Sequence, residues 1–329
     1  MAKYEHIELS KDMYSTSKSL TEYLETISDT NDIETQGLDA YEKQLKRFDI
    51  KVSGRDCDIV SKFFENEQFA ILFPEFVRRI IETAYEEKTK IFDSYVLANT
   101  VYYDKNTRIK SAQIDSPIVS SNKSIKRISS DCMMRIILRD LNCTYETIKK
   151  LKISTFVQMI KSIGFDLGMD SIGLFGLKVR ENAAKIPMVS RESVHESDLT
   201  YSNIMDIVAD YSTVNSVLCS SFTMNHLFLP NNFAGCENID KGIIKTPQGI
   251  IFVACEAINT NEMYLFNSES TFEKHICSNL DVTALSLEDD LEDTITTIID
   301  KKFETLGGKI FVDYSILNAD TIFMLNITD

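Results

Sequence analysis

Several residue types and patterns are scarce in this sequence of 329 residues. It contains no tryptophan, five prolines and 11 glycines, a composition far from that of collagen-like or low-complexity disordered chains. No stretch approaches the roughly 18 uninterrupted apolar residues of a membrane helix, so we expect no membrane span. Residues 1–6 include no apolar core of the kind that a secretory signal needs, so we expect no secretion signal.

Positive charge is also in short supply. The chain has 35 lysines and arginines against 50 aspartates and glutamates, which gives a formal net charge of −15 and a pI near 4.8. A protein that binds nucleic acid by neutralising phosphates has the opposite balance, so sequence-specific nucleic-acid binding is excluded. An acidic wall that surrounds DNA is a different case, because it would repel the packed phosphates and keep the DNA from adhering.

The sequence lacks the motifs of common catalytic and metal-binding sites. It has no G-x-S-x-G or H-E-x-x-H motif, and its four histidines are scattered. The glycines at 164, 168, 173 and 176 lie inside a helical pattern, so they do not form a phosphate-binding loop. We expect no enzyme activity, no cofactor and no metal. No two cysteines have C-x-x-C spacing, and we expect buried thiols in a reducing compartment at Cys57, Cys132, Cys143, Cys219, Cys236, Cys255 and Cys277.

Residues 1–50 are polar and acidic and show weak helical periodicity around Leu20, Tyr23, Leu24 and Ile27. Two interpretations of this segment stay open. It is an arm that becomes ordered only against neighbouring molecules, or it is a helix pair packed on the surface of its own chain.

Two strong helical patterns follow. The first, between residues 56 and 88, predicts one amphipathic helix with Pro74 in its first turn; its apolar positions are Phe69, Leu72, Phe73, Phe76, Ile80 and Ala84. The second predicts a helix over residues 152–177, with one apolar face at Ile153, Phe156, Ile160, Ile163, Leu167 and Leu174. Gly164 and Gly168 disfavour a helix interior, so we expect another backbone to pack closely there.

The rest of the chain mixes short elements. The spacing predicts a helix over 201–211 and strands over 216–221, 263–266 and 309–314, the last one preceded by Gly307-Gly308. Residues 243–254 predict a strand, a T-P-Q-G turn and a second strand. No internal repeat is visible, and the predicted class is α+β.

Two oppositely charged segments stand out. Residues 104–131 predict an extended basic hairpin, which is either a surface that meets an acidic partner or a solvated loop. The acidic run 288–293 lacks the ligand pattern of an EF-hand loop and is typical of a solvated face. We also predict it as an intermolecular counterpart of the hairpin. The candidate inter-subunit residues are Lys105, Arg108, Lys110, Lys123, Lys126, Arg127, Glu288, Asp289, Asp290, Glu292 and Asp293.

Several motifs resemble those of tailed-bacteriophage major capsid proteins. In order, they are L-D-A-Y-E-K-Q-L at 38–45, I-K-V-S-G at 50–54, V-S-K-F-F at 60–64 and L-F-P-E-F-V at 72–77. Y-E-T-I-K-K at 145–150 resembles the entry to that family's spine helix, and K-T-P-Q-G at 245–249 resembles a hairpin of its apical domain. The resemblance covers residues 38–316 and depends on the order of segments more than on any single motif.

The resemblance implies a Hong Kong 97-like capsid fold. Its parts would be an N-terminal arm and helix at 1–90, the E-loop hairpin and the start of the peripheral domain at 91–140, and the peripheral domain with its spine helix at 141–190. An axial domain at 191–285 and a return to the peripheral domain at 286–329 would complete the chain.

The resemblance also implies a function. The chain would be a structural subunit that assembles with itself into pentamers and hexamers of a head shell around phage double-stranded DNA, without binding a particular DNA sequence. Scaffolding, portal and decoration proteins would be further partners, and the shell would assemble in the bacterial cytoplasm and end in the virion. The alternative is an encapsulin-like shell with the same fold and a protein cargo.

Overall fold

Two long helices form the frame of the computed structural model, which describes residues 7–14, 19–27, 37–97, 99–103, 134–211, 213–228, 242–277, 280–285 and 294–328. They are α3 (Glu67–Val96) and α5 (Ile153–Glu181). The shorter described helices are α1 (Leu20–Ile27), α2 (Ala40–Arg47), α4 (Tyr145–Ile148), α6 (Tyr201–Asp210), α7 (Ser221–Phe228) and α8 (Thr294–Ile299). Together with two mixed sheets they confirm the predicted α+β class.

Helix α5 confirms the prediction from periodicity and runs four residues beyond it, to Glu181. All six predicted core positions on its apolar face are buried. It runs parallel to α3, as three successive contacts show. Phe156 packs against Phe73 with ring centroids 5.5 Å apart, and Phe175 packs against Phe92 at 5.2 Å. Between them, a Cβ on Gly164 would overlap the carbonyl oxygen of Ile81, so the close backbone approach is confirmed at Gly164, whereas the nearest atoms at Gly168 belong to the side chains of Lys88 and Thr89.

Helix α3 corrects one prediction. It begins after Asn66, whose side chain accepts from the Gln68 amide at 2.7 Å, and Pro74 is therefore its eighth residue and not in its first turn. A proline there disturbs the helical hydrogen bonds. The hydroxyl of Tyr14 inserts next to it, donating to the Ile71 carbonyl at 2.7 Å and accepting from the Glu75 amide at 3.2 Å. This insertion satisfies both backbone groups.

The described parts of residues 7–50 pack on the chain's own body. Leu9, Leu20 and Leu24 are buried in the same core as α3, and Gln68 holds the backbone of Leu9 with two hydrogen bonds of 2.7 and 2.8 Å. Of the two interpretations of this segment, these residues adopt the packed one.

A five-stranded sheet lies against α3 and α5. Its strands are β1 (Asn99–Tyr103), β2 (Arg135–Asn142), β8 (Phe272–Cys277), β9 (Asp281–Leu285) and β10 (Thr305–Ile316). The central strand β10 pairs with β2 along one side and with β9 and then β8 along the other, while β1 pairs with β8. Gly307 and Gly308 lie inside β10 rather than before it. The absence of a side chain at Gly308 makes room for Ile81, Leu167 and Leu280, because a Cβ there would lie 3.1–3.3 Å from their side chains.

A six-stranded sheet forms the other lobe. Its order is β3 (Arg191–His195), β11 (Phe323–Thr328), β7 (Glu262–Phe266), β4 (Ser216–Cys219), β6 (Ile251–Ala254) and β5 (Ile243–Lys245). The predicted strand–turn–strand is confirmed as β5 and β6, with Gly249 at φ 86° in the turn. The chain enters the five-stranded sheet with β8, β9 and β10 and returns to the six-stranded sheet with β11.

Among the described helices, none combines the length and the apolar character needed to cross a bilayer. The four cysteines whose side chains are described, Cys57, Cys143, Cys219 and Cys255, are buried and unbridged, as the sequence predicts.

We predict opposite effects for the same substitution at two glycines of α5. Gly164→Ala should lower the free energy of unfolding by about 3 kcal/mol, because its Cβ meets rigid backbone of α3. Gly173→Ala should raise it by about 1 kcal/mol, because nothing lies within 4 Å of its Cβ and alanine favours the helix. Urea unfolding of both variants checks this, and equal effects would contradict the close packing at Gly164.

Candidate functional site

Exposed apolar side chains concentrate on α5 and β2. Five of the eleven large apolar side chains that are exposed in the described residues lie there: Ile136, Leu138, Phe165, Met169 and Leu177. The three on α5 follow a spacing of four and eight residues, so they form one stripe along the helix. Ile136 is 61% exposed and Met169 is 44% exposed, in a protein whose other α5 face is fully packed. An exposed patch of this kind marks an interaction surface.

The stripe and β2 border a groove of about 570 Å³, which we call the α5–β2 groove. One wall comes from β2 and one from α5, and the end of the six-stranded sheet closes it at Gly242, Ile243 and residues 253–257. The groove therefore lies where the two sheets meet. Its principal lining residues are Arg135, Ile136, Ile137, Met169, Gly173 and Leu177.

Ion pairs fix the two walls to each other. Arg139 of β2 contacts Asp170 of α5 at 2.5 Å, and Arg135 contacts Glu181 at 3.2 Å. Both pairs are partly exposed, so each contributes little to stability, but together they hold β2 antiparallel to the helix. The groove consequently has apolar walls and a rim on which positive and negative groups are already matched.

A buried polar network holds the opposite side of α5. Lys274 of β8 donates to Asp93 of α3 at 2.7 Å and lies over the Tyr85 ring. Tyr85 contacts Ser171 of α5 at 3.2 Å, and Ser171 contacts Tyr314 of β10 at 2.6 Å. Burial alone would lower the pKa of Lys274, but Tyr85 and Asp93 outweigh it and raise that pKa, so the ammonium stays charged. The network joins both long helices to the five-stranded sheet.

The groove offers little chemistry of its own. Cys255 lines it, but burial raises the pKa of that thiol, so it remains protonated. In the part of the chain that the structure describes, no three His, Cys, Asp or Glu side chains form a group that could hold a metal ion. What the groove can do is bind an apolar surface.

The predicted inter-subunit residues lie outside the described residues. Residues 104–133 and 286–293 include all eleven of them, so their pairing stays a prediction. The groove itself was missed at the sequence level. A second stripe at positions 165, 169 and 177 was available as a signal, but the stronger core stripe of the same helix masked it, and β2 alternates too weakly to be recognised as a strand.

Comparisons with known proteins add the following. No protein-family model matches this chain. No curated protein matches it either.

Solved structures do resemble it. A virus-like particle from Pyrococcus furiosus matches at 10% identity and TM-score 0.46, covering 77% of this chain and 99% of that chain. A satellite phage P4 procapsid matches at 10% identity and TM-score 0.44, covering 76% and 91%. The SrpI encapsulin complex from Synechococcus elongatus matches at 9% identity and TM-score 0.40, covering 59% and 73%.

We predict that Lys274→Met will be strongly destabilising, by about 3 kcal/mol, because it leaves the Asp93 carboxylate without its partner beside the core. The double variant Lys274→Met/Asp93→Leu should recover most of that loss, since no uncompensated charge remains. Urea unfolding of the two variants measures the difference. A double variant that is no more stable than the single one would show that the pair is not the origin of the loss.

Proposed function

We propose that this chain is the major capsid protein of a tailed bacteriophage or prophage, a structural subunit with a Hong Kong 97-like fold that assembles with itself into a head shell. The observation that carries the proposal is the α5–β2 groove. A chain with three well-packed cores still exposes three large apolar side chains along one side of α5, at Phe165, Met169 and Leu177. Such a surface is costly in water unless another molecule covers it.

The position of the groove supports a lattice contact. It lies at the junction of the two lobes and is framed by α5, which is tied to α3 by close packing and to the five-stranded sheet by the buried network. A contact made there would act on both lobes at once. A rigid subunit with many modest contacts assembles firmly because the contacts add within a closed shell.

The charge distribution supports a container for DNA rather than a DNA reader. With a net charge of −15, the subunit repels packed phosphates, whereas the predicted hairpin at 104–131 is net positive, with six basic and three acidic residues. We propose that this hairpin lies across a neighbouring subunit and meets the acidic run at 288–293. Pentamers and hexamers, with portal, scaffolding and decoration proteins, would complete the head.

Electron microscopy of the chain expressed alone tests the proposal, with absorbance at 260 and 280 nm measured on purified particles. Closed shells, or free pentamers and hexamers, are the expected result. Shells that copurify with nucleic acid in the presence of portal and packaging genes support a virion. Shells that take up a coexpressed cargo protein and no nucleic acid would favour the encapsulin-like alternative, and a chain that stays monomeric with all its neighbouring genes would overturn both.

We predict that Met169→Gln/Leu177→Gln abolishes or strongly reduces assembly, because it removes apolar contact area from the groove. Both side chains are exposed in the free subunit, so unfolding free energy should change by less than about 0.5 kcal/mol per site. The matched control is Ile27→Gln/Leu38→Gln, which changes two apolar side chains of similar exposure on another face. Sedimentation velocity compares the particle yields, and equal loss in both variants would contradict a special role for the groove.

We predict that assembly depends on charge pairing between the hairpin and the acidic run. Lys123→Glu/Lys126→Glu and Glu288→Lys/Asp289→Lys should each reduce assembly, and their combination should restore it, because opposite charges face each other again. The yield of the natural chain should fall as salt rises through screening. Lys90→Glu/Lys150→Glu reverses two exposed charges elsewhere and serves as the control. A combined variant as defective as its parents would contradict the pairing.

A further inference from the structure

We propose that the free edge of β2 pairs with β2 of a second copy of this chain, antiparallel and about a twofold axis at Ile137. The inference rests on the proposed function and assigns one contact of the shell. Strand β2 ends its sheet: it pairs with β10 on one side, and none of the described residues forms a strand on its other side. A strand edge of eight residues with apolar side chains and no partner among the described residues is a template for pairing with another strand.

The direction of the β2 amides follows from the end of the ladder. Cys143 donates its backbone N–H to Glu304 at 2.8 Å, just beyond the terminal pair Asn142–Thr305. In an antiparallel ladder this bond makes Cys143 and Glu304 a hydrogen-bonded pair. The neighbouring pair, Asn142 and Thr305, is therefore a non-hydrogen-bonded one. Because the two kinds of pair alternate, the N–H and C=O groups of residues 136, 138, 140 and 142 point to the free edge.

That alternation restricts the register of self-pairing, and the positions of the exposed apolar side chains then select one. Two copies can exchange hydrogen bonds only if even-numbered residues of one β2 stand opposite even-numbered residues of the other. A twofold axis at Ile137 meets this condition and places Ile136 of each copy opposite Leu138 of the other copy. The two most exposed apolar side chains of β2 then cover each other.

The same arrangement accounts for apolar surface on both faces of the sheet. Side chains alternate along β2, so Ile137 lies on the α5 side while Ile136 and Leu138 lie on the opposite face. A helix docked on α5 would cover Met169 and leave Leu138, which is not among the residues that line the groove, in water. A strand added at the edge contacts both faces, and the twofold axis brings the two α5 stripes to the same side of one continuous sheet.

The local charge of β2 permits two copies to approach each other, in contrast to the strongly acidic chain as a whole. The chain as a whole is strongly acidic, but β2 carries Arg135, Arg139 and Asp140, a net charge of +1. Both arginines are already paired with carboxylates of α5, so the remaining charge that each copy brings to the edge is the Asp140 carboxylate. An isologous contact of this kind matches a surface with itself, as the twofold axes of a closed shell require.

Disulfide trapping tests the register. In a Cys132→Ser background, Ile137→Cys should form a disulfide-linked dimer on mild oxidation, because directly opposed residues of a non-hydrogen-bonded pair have Cα atoms about 4.5 Å apart, within disulfide range. Ile136→Cys is the matched control. In this register its two copies are diagonal neighbours about 7–8 Å apart or more, too far to be bridged. Non-reducing gels of assembled particles, dissolved after oxidation, give the dimer fraction.

Hydrogen exchange of backbone amides is an independent measurement, because contact between side chains alone would not slow it. The amides of residues 136, 138 and 140 should exchange rapidly in the free subunit and lose that rapid exchange in the particle. Particles in which Ile137→Cys fails to cross-link, or in which these amides still exchange rapidly, overturn the proposal while the shell function stands. Cross-linking of both cysteine variants to the same extent also overturns it. Dimers through Ile137→Cys in a chain that forms neither shells nor free pentamers and hexamers would keep the strand pairing and refute the shell. A chain that forms neither dimers nor any of these assemblies would refute both.

Discussion

The close approach of α3 and α5 is the constraint on which the other features depend. At Gly164 the missing Cβ lets the backbone of one helix touch the other, and at Gly168 a Cβ would lie 2.8 Å from the side chain of Lys88. No other residue type fits there without moving a helix. Because α5 contributes to two of the three cores, its position also sets where the five-stranded sheet lies relative to the six-stranded one.

This packing explains how the chain can expose apolar side chains and remain a single folded state. The buried face of α5 is held by apolar packing and by the chain of contacts from Asp93 to Tyr314, so the exposed stripe is not needed for the stability of the fold. The surface is therefore available for association. Its two ion pairs with β2 set the geometry of the groove, while their partial exposure keeps them exchangeable when a partner arrives.

The sequence predicts elements with a strong local signal. The apolar face of α5 and the turn at residues 246–249 are confirmed because periodicity and a glycine at positive φ are local properties. Pro74 was placed wrongly, since the hydroxyl that accommodates it comes from Tyr14, sixty residues earlier. Gly307 and Gly308 indicated the start of a strand, but their small size serves contacts with distant elements. The groove was missed because exposure is a property of the assembled fold, and the same apolar residues would suit a core.

The place of β11 has a consequence for the timing of synthesis. This strand, at Phe323–Thr328, lies between β3 and β7, so β3 has no partner strand within its sheet until residue 328 has left the ribosome. The inner side of β2 likewise waits for β10. At ordinary translation rates the delay between β3 and β11 is roughly ten seconds or more. Unfinished polypeptides on a polysome therefore lack the completed six-stranded sheet.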